Sequence, residues 1–108
     1  MTLHSRVTID ESRFLDGLRA AAVVSRGGHP DLAGPEALTR VKAPTLLIVG
    51  ALDGVVIELN AAASEAMRCE HKMALVPGAG HLFEEPGTLD QVVTLASAWF
   101  RAHLEKKR

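Results

Sequence analysis

Ala43-Pro44-Thr45-Leu46-Leu47-Ile48-Val49-Gly50 is an almost unbroken apolar run that closes on a glycine, and Ala51-Leu52-Asp53-Gly54 follows it directly. A run apolar at consecutive positions leaves no face for water, which suits a strand buried on both sides within a parallel sheet. Lys72-Met73-Ala74-Leu75-Val76-Pro77-Gly78 has the same character. A third run, Ala20-Ala21-Ala22-Val23-Val24-Ser25, ends in Arg26-Gly27-Gly28 and is read as a strand, although its alanines also tolerate helix.

Helical periodicity fills the spaces between these runs. Ile57 to Arg68 collects Ile57, Leu59, Ala61, Ala62, Ala63, Ala66 and Met67, with Glu58 and Glu65 on other faces, as a helix packed on a sheet would. Thr88 to Leu104 places Leu89, Val92, Val93, Ala96, Trp99, Phe100 and Leu104 at spacings of three and four, one broad apolar stripe. Asp10 caps a short helix through Leu18, and Pro35 with Glu36 opens another that ends near Arg40. Strands alternating with crossover helices predict an α/β class chain with three parallel strands. Residues 1–108 are read as a single domain, with the Pro- and Gly-rich segment from His29 to Pro35 as a surface loop.

Twelve basic residues against thirteen acidic ones give a formal charge of −1, which offers no broad field for nucleic acid or an anionic membrane. The longest apolar stretches fall far below the ~18 residues of a membrane span. Cys69 is the single cysteine and forms no internal disulfide; with polar residues from Thr8 to Arg13 and no apolar leader, the expected location is the cytoplasm.

In open parallel sheets catalytic groups gather beyond the carboxyl ends of the strands. Two of the three runs end in suitable residues, Asp53 after the first quoted run and His81 after the second, within Pro77-Gly78-Ala79-Gly80-His81-Leu82-Phe83-Glu84-Glu85-Pro86. A carboxylate beside an imidazole sets its tautomer and stabilises the imidazolium formed when it takes a proton. Gly78 and Gly80 would let the backbone turn sharply and bring His81 over the strand ends. The plainer readings are an Asp53 that only caps a helix, a His81 that is a hydrogen-bonded loop histidine, and Glu84 and Glu85 that are solvated or orient the loop.

The run from Ala43 to Gly50, then Asp53, then Val76-Pro77-Gly78-Ala79-Gly80-His81 resembles the last acid loop and the histidine loop of α/β-hydrolases. Val23-Val24-Ser25-Arg26-Gly27-Gly28-His29-Pro30-Asp31-Leu32 and Leu82-Phe83-Glu84-Glu85-Pro86-Gly87 are similar to the dienelactone hydrolase-like branch, which also occurs as modules fused to phosphoribosyltransferase-like domains. The resemblance runs from about Ala20 to Leu104 and implies a partial α/β-hydrolase fold. It further implies an ester, thioester or lactone hydrolase in which Asp53 orients His81, and His81 serves as general base and then general acid. Acid before histidine is the family's chain order.

The family's nucleophile sits on a Gly-x-Ser-x-Gly elbow before the first strand seen here, and these residues contain no such motif. Ser5 is flanked by Leu3 and Val7 where glycines are needed, Ser25 by Val23 and Gly27, and Cys69 follows a helix at the opposite edge from Asp53 and His81. No nucleophile is assigned. The oxyanion amides are missing with it. Removing a triad nucleophile costs about 10⁶ in turnover, and an oxyanion donor about 10²–10³ more. The acid and histidine alone would barely exceed water.

His4, His29, His71 and His103 show no paired metal-ligand spacing, so no metal is expected. Gly78-x-Gly80 lacks the third glycine of a dinucleotide fingerprint, Phe83 standing in its place, and no cofactor is expected. Trp99 and Phe100 are read as core. A phosphoacceptor domain would need an acidic pair where Ser25 and Arg26 stand. Two function classes remain. In one, a second chain or an upstream segment supplies the elbow, and an unpaired edge is expected on the strand from Ala20 to Ser25. In the other, the chain is a truncated, non-catalytic remnant that dimerises through that exposed edge, leaving Asp53 and His81 idle.

Overall fold

The computed structural model describes residues 7–8 and 22–104. Its sheet is wholly parallel, in the order β1 (Val7–Thr8), β2 (Val23–Arg26), β3 (Thr45–Gly50), β4 (His71–Val76). A 3₁₀ helix (Pro30–Ala33) and α1 (Pro35–Arg40) join β2 to β3, α2 (Gly54–Ala66) joins β3 to β4, and α3 (Thr88–Leu104) follows β4. The α/β class and the parallel crossovers stand as expected. The three expected strands are β2, β3 and β4, and a further two-residue strand pairs Val7 with Val24 and Thr8 with Ser25. The edge expected to be bare from Ala20 to Ser25 is covered at Val24 and Ser25 by this strand, which is too short to show an apolar pattern in the sequence. The helix expected from Asp10 to Leu18, together with His4 and Ser5, lies outside the described residues.

β3 is buried at every position, as a central strand should be. Alternate side chains serve two cores. Leu46 and Ile48 join Val24, Val76, Ala79, Phe83, Val92 and Ala96 on the α3 side. Leu47 joins Val23, Leu38, Val41, Ala43, Ala63 and Met67 beneath α1 and α2. β4 departs from the expected double burial: only Val76 is buried and Leu75 is exposed. Among the described residues it is an edge strand, so its apolar run is half covered.

α2 begins at Gly54, earlier than its apolar periodicity suggests, because Asp53 serves as N-cap residue and its carbonyl accepts from the Ile57 amide at 2.9 Å. Its buried face is Val56, Asn60 and Ala63, a polar side chain between apolar ones. α3 keeps its expected bounds, but its stripe is narrower: Val92 and Ala96 are buried while Leu89 and Val93 face outward. Its last turns are tied down by Trp99 Nε1 donating to the Pro44 carbonyl at 3.2 Å, with the buried His103 ring 4.1 Å from the Trp99 ring. No described helix is long and apolar enough to cross a membrane.

Leu47, at 0% exposure, and Leu52, at 70%, predict opposite outcomes of one substitution. Leu47→Ala is expected to lose about 2–5 kcal/mol in urea unfolding, and Leu52→Ala to stay within about 0.5 kcal/mol.

Candidate functional site

The site is built by a close approach at the carboxyl end of β3. A Cβ on Gly50 would collide with the Ala79 carbonyl oxygen and lie 2.5 Å from that of Gly80, so only glycine lets the chain leaving β4 fold back across this point. The return is fastened by backbone bonds from the Ala51 amide to the Val76 carbonyl at 2.9 Å and from the Leu52 amide to the Ala79 carbonyl at 3.0 Å. Gly78 makes the turn at φ 76°. Gly80 is not left-handed; its smallness admits Glu85, whose two carboxylate oxygens each accept from the Gly80 amide at 3.2 Å. Glu85 is thus a loop anchor.

These loops bring Asp53 and His81 together. Asp53 holds the N-cap position of α2 but makes no side-chain cap bond. Its Oδ2 lies instead 2.8 Å from His81 Nδ1, with side-chain exposures of 17% for the acid and 48% for the imidazole. An ionised Asp53 at that distance accepts from Nδ1–H, which leaves the Nε2 lone pair free on the more exposed ring. Such a pair can take a proton from a hydroxyl, thiol or water and return it to a leaving group.

The segment after β2 closes the other side. Gly27, at φ 60°, packs against His81, since a Cβ there would sit 3.4 Å from the His81 carbonyl oxygen. Phe83 is buried, adopts a left-handed φ of 55°, and lies beneath the Arg26 guanidinium at 5.5 Å. Asn60 Nδ2 donates to the Gly28 carbonyl at 3.1 Å and to that of Val56 at 2.9 Å, fixing the loop to α2. That loop carries His29, whose ring centroid is 6.1 Å from that of His81. The sequence alone does not mark Arg26, His29 and Asn60 as site neighbours. The polar Asn60 on the buried face of an apolar helix is the one available signal.

Ser25 lies within β2 and is buried rather than placed on a turn. Cys69 stands just before β4, at the amino ends of the strands, far along the fold from His81. Burial pushes its thiol up from its ordinary value, only partly offset by a hydrogen bond to Thr45. Among the described residues no group of three or more His, Cys, Asp or Glu could hold a metal ion.

No protein-family model matches the chain. Two proteins of Mycobacterium tuberculosis, from strains CDC 1551 / Oshkosh and H37Rv and provisionally named phosphoribosyl transferases, are each 60% identical over 83 residues, 77% of this chain and 18% of theirs. The dienelactone hydrolase of Anabaena variabilis superposes with a TM-score of 0.84 at 44% identity, covering 90% of this chain and 48% of its own. A CIB-like hydrolase of Thermoplasma acidophilum superposes with a TM-score of 0.71 at 17% identity, over 89% and 49%, and shows the shared fold. The chain thus spans under a fifth of the curated relatives it matches and about half of the solved structures.

Gly50→Ala is expected to destabilise the protein by about 1–3 kcal/mol and to shift the His81 ring signals in NMR spectra, because the loop must retreat. Iodoacetamide should alkylate Cys69 several-fold more slowly at pH 8 than a free cysteine, since a raised thiol has less thiolate at that pH.

Proposed function

From the premise that the described residues form part of an α/β-hydrolase fold similar to dienelactone hydrolase, we propose that the chain supplies the acid and histidine of a Ser/Cys-His-Asp hydrolase site. The observation that carries this is the 2.8 Å bond between Asp53 and His81 beyond the ends of adjacent strands. His81 Nε2 takes the proton of a nucleophile, Asp53 stabilises the imidazolium, and the proton passes to the leaving group; water then releases the acyl group through the same histidine. The substrate class is an ester, thioester or lactone.

Neither Ser25, inside β2, nor Cys69, at the far ends of the strands, offers the nucleophile. The residues after β1, Ile9-Asp10-Glu11-Ser12-Arg13, contain no Gly-x-Ser-x-Gly. On this reading a second chain or an upstream segment supplies the nucleophile. The alternative of a silent remnant pairing through the Ala20–Ser25 edge has less support, because β1 occupies that edge at Val24 and Ser25. The phosphoribosyl transferase name stays with the proteins that carry it.

Replacing the corresponding half of the Anabaena variabilis enzyme with residues 22–104 tests the reading. The chimera is expected to hydrolyse p-nitrophenyl acetate, with Asp53→Asn lowering kcat by about 10⁴ and His81→Ala by about 10⁶. A folded chimera without hydrolysis, or one indifferent to Asp53→Asn, rejects it.

A further inference from the structure

A second aspartate and histidine stand beside the first pair. Asp31 Oδ1 is buried with no hydrogen-bond partner, and 3.9 Å away stands His29 Nδ1. An orphaned buried acceptor is costly, and the His29 ring is the group placed to relieve it. The His29 backbone is held for this: Pro30 follows it at the start of the 3₁₀ helix, and the buried Asn60 holds the preceding Gly28 carbonyl. His29 and His81 each present Nδ1 to a carboxylate, at 3.9 Å and 2.8 Å, and a proton on Nδ1 leaves Nε2 as an acceptor. Their ring centroids are 6.1 Å apart with planes tilted by 56°.

With the ring centroids this close, an oxygen lying between the rings comes within hydrogen-bond reach of both imidazoles. Water fits such a gap because it has two O–H groups, one for each nitrogen. We propose that His29, backed by Asp31, positions the hydrolytic water of this site, an inference that rests on the His81–Asp53 reading. In the acyl-releasing step the water oxygen bonds to the acyl carbon and the bond from that carbon to the nucleophile breaks. One water proton passes to His81 Nε2 and on to the departing nucleophile; the second stays on the product acid, held meanwhile by His29 Nε2. His29 transfers nothing and sets the direction of attack. An alcohol has one O–H and cannot satisfy both nitrogens, so His29 favours water over alcohols as acyl acceptor.

Long-range ¹H–¹⁵N imidazole spectra of the full chain, taken where both rings are neutral, decide this. The expected result is the Nδ1–H tautomer for His29 and for His81, with Asp31→Asn removing the preference at His29 alone. The Nε2–H tautomer at His29 overturns the water-positioning role, whereas that tautomer at His81 overturns the underlying site and leaves the His29–Asp31 pairing standing. A second readout uses the chimera with p-nitrophenyl acetate in dilute methanol, where the ratio of methyl acetate to acetate is measured. His29→Ala is expected to raise that ratio about 2–10-fold, and His29→Gln, which restores an acceptor, to return it part of the way. Parallel loss of both products with an unchanged ratio overturns the inference.

Discussion

Everything at the carboxyl end of the sheet depends on the missing side chain of Gly50. Parallel pairing of Gly50 with Val76 ends both strands at the same level, so the chain leaving β4 can reach the next loop only by crossing directly over the end of β3. The carbonyls of Ala79 and Gly80 occupy the space a Cβ would need. That crossing brings together two side chains 28 residues apart in sequence, and the Leu52 amide bonded to the Ala79 carbonyl fixes their separation. The sheet register places Asp53 and the crossing places His81.

The crossing loop is held from below and from the side. Phe83 adopts a left-handed conformation that costs on the order of 1–3 kcal/mol for a residue other than glycine, and it persists because the ring is buried in the α3-side core. Glu85 grips the Gly80 amide from further along the chain, while Gly27 leaves room for His81 from the β2 side. Rigid neighbours on three sides make the Asp53–His81 distance a property of packing, and less of the pair's own attraction.

Much of this is legible in the sequence because its physics is local. Doubly buried strands show as continuous apolar runs, so β3 and the class of the fold can be read directly, and strand-end logic singles out Asp53 and His81 as candidates without knowledge of their separation. What escapes depends on the third dimension. Two residues of β1 carry no periodicity. β4 looks like a core strand in sequence yet is half exposed, since continuity of apolar residues does not record how many neighbours a strand has. Asn60 and His29 look like an ordinary helix residue and a lone histidine, because a polar side chain's value depends on the carbonyl or ring that the fold sets opposite it.

Geometry and electrostatic strength separate in this site. The 2.8 Å contact is set by loops contained in the described residues, but His81 is 48% exposed, so the attraction between its charged form and Asp53 acts partly through water. Coulomb energy at a given distance rises several-fold as the effective dielectric falls from that of water toward that of a protein surface, and further in a closed site. Described residues cover Asp53 far better than His81, leaving the imidazole's outer edge as the place where added protein would matter most. A segment laid over that edge would need to change no distance in order to change the chemistry. It would exclude solvent, strengthen the stabilisation of an imidazolium, and confine a water molecule beside His29. The described residues therefore hold the alignment of the pair, and the exposure of His81 sets how strongly its charged form and Asp53 attract.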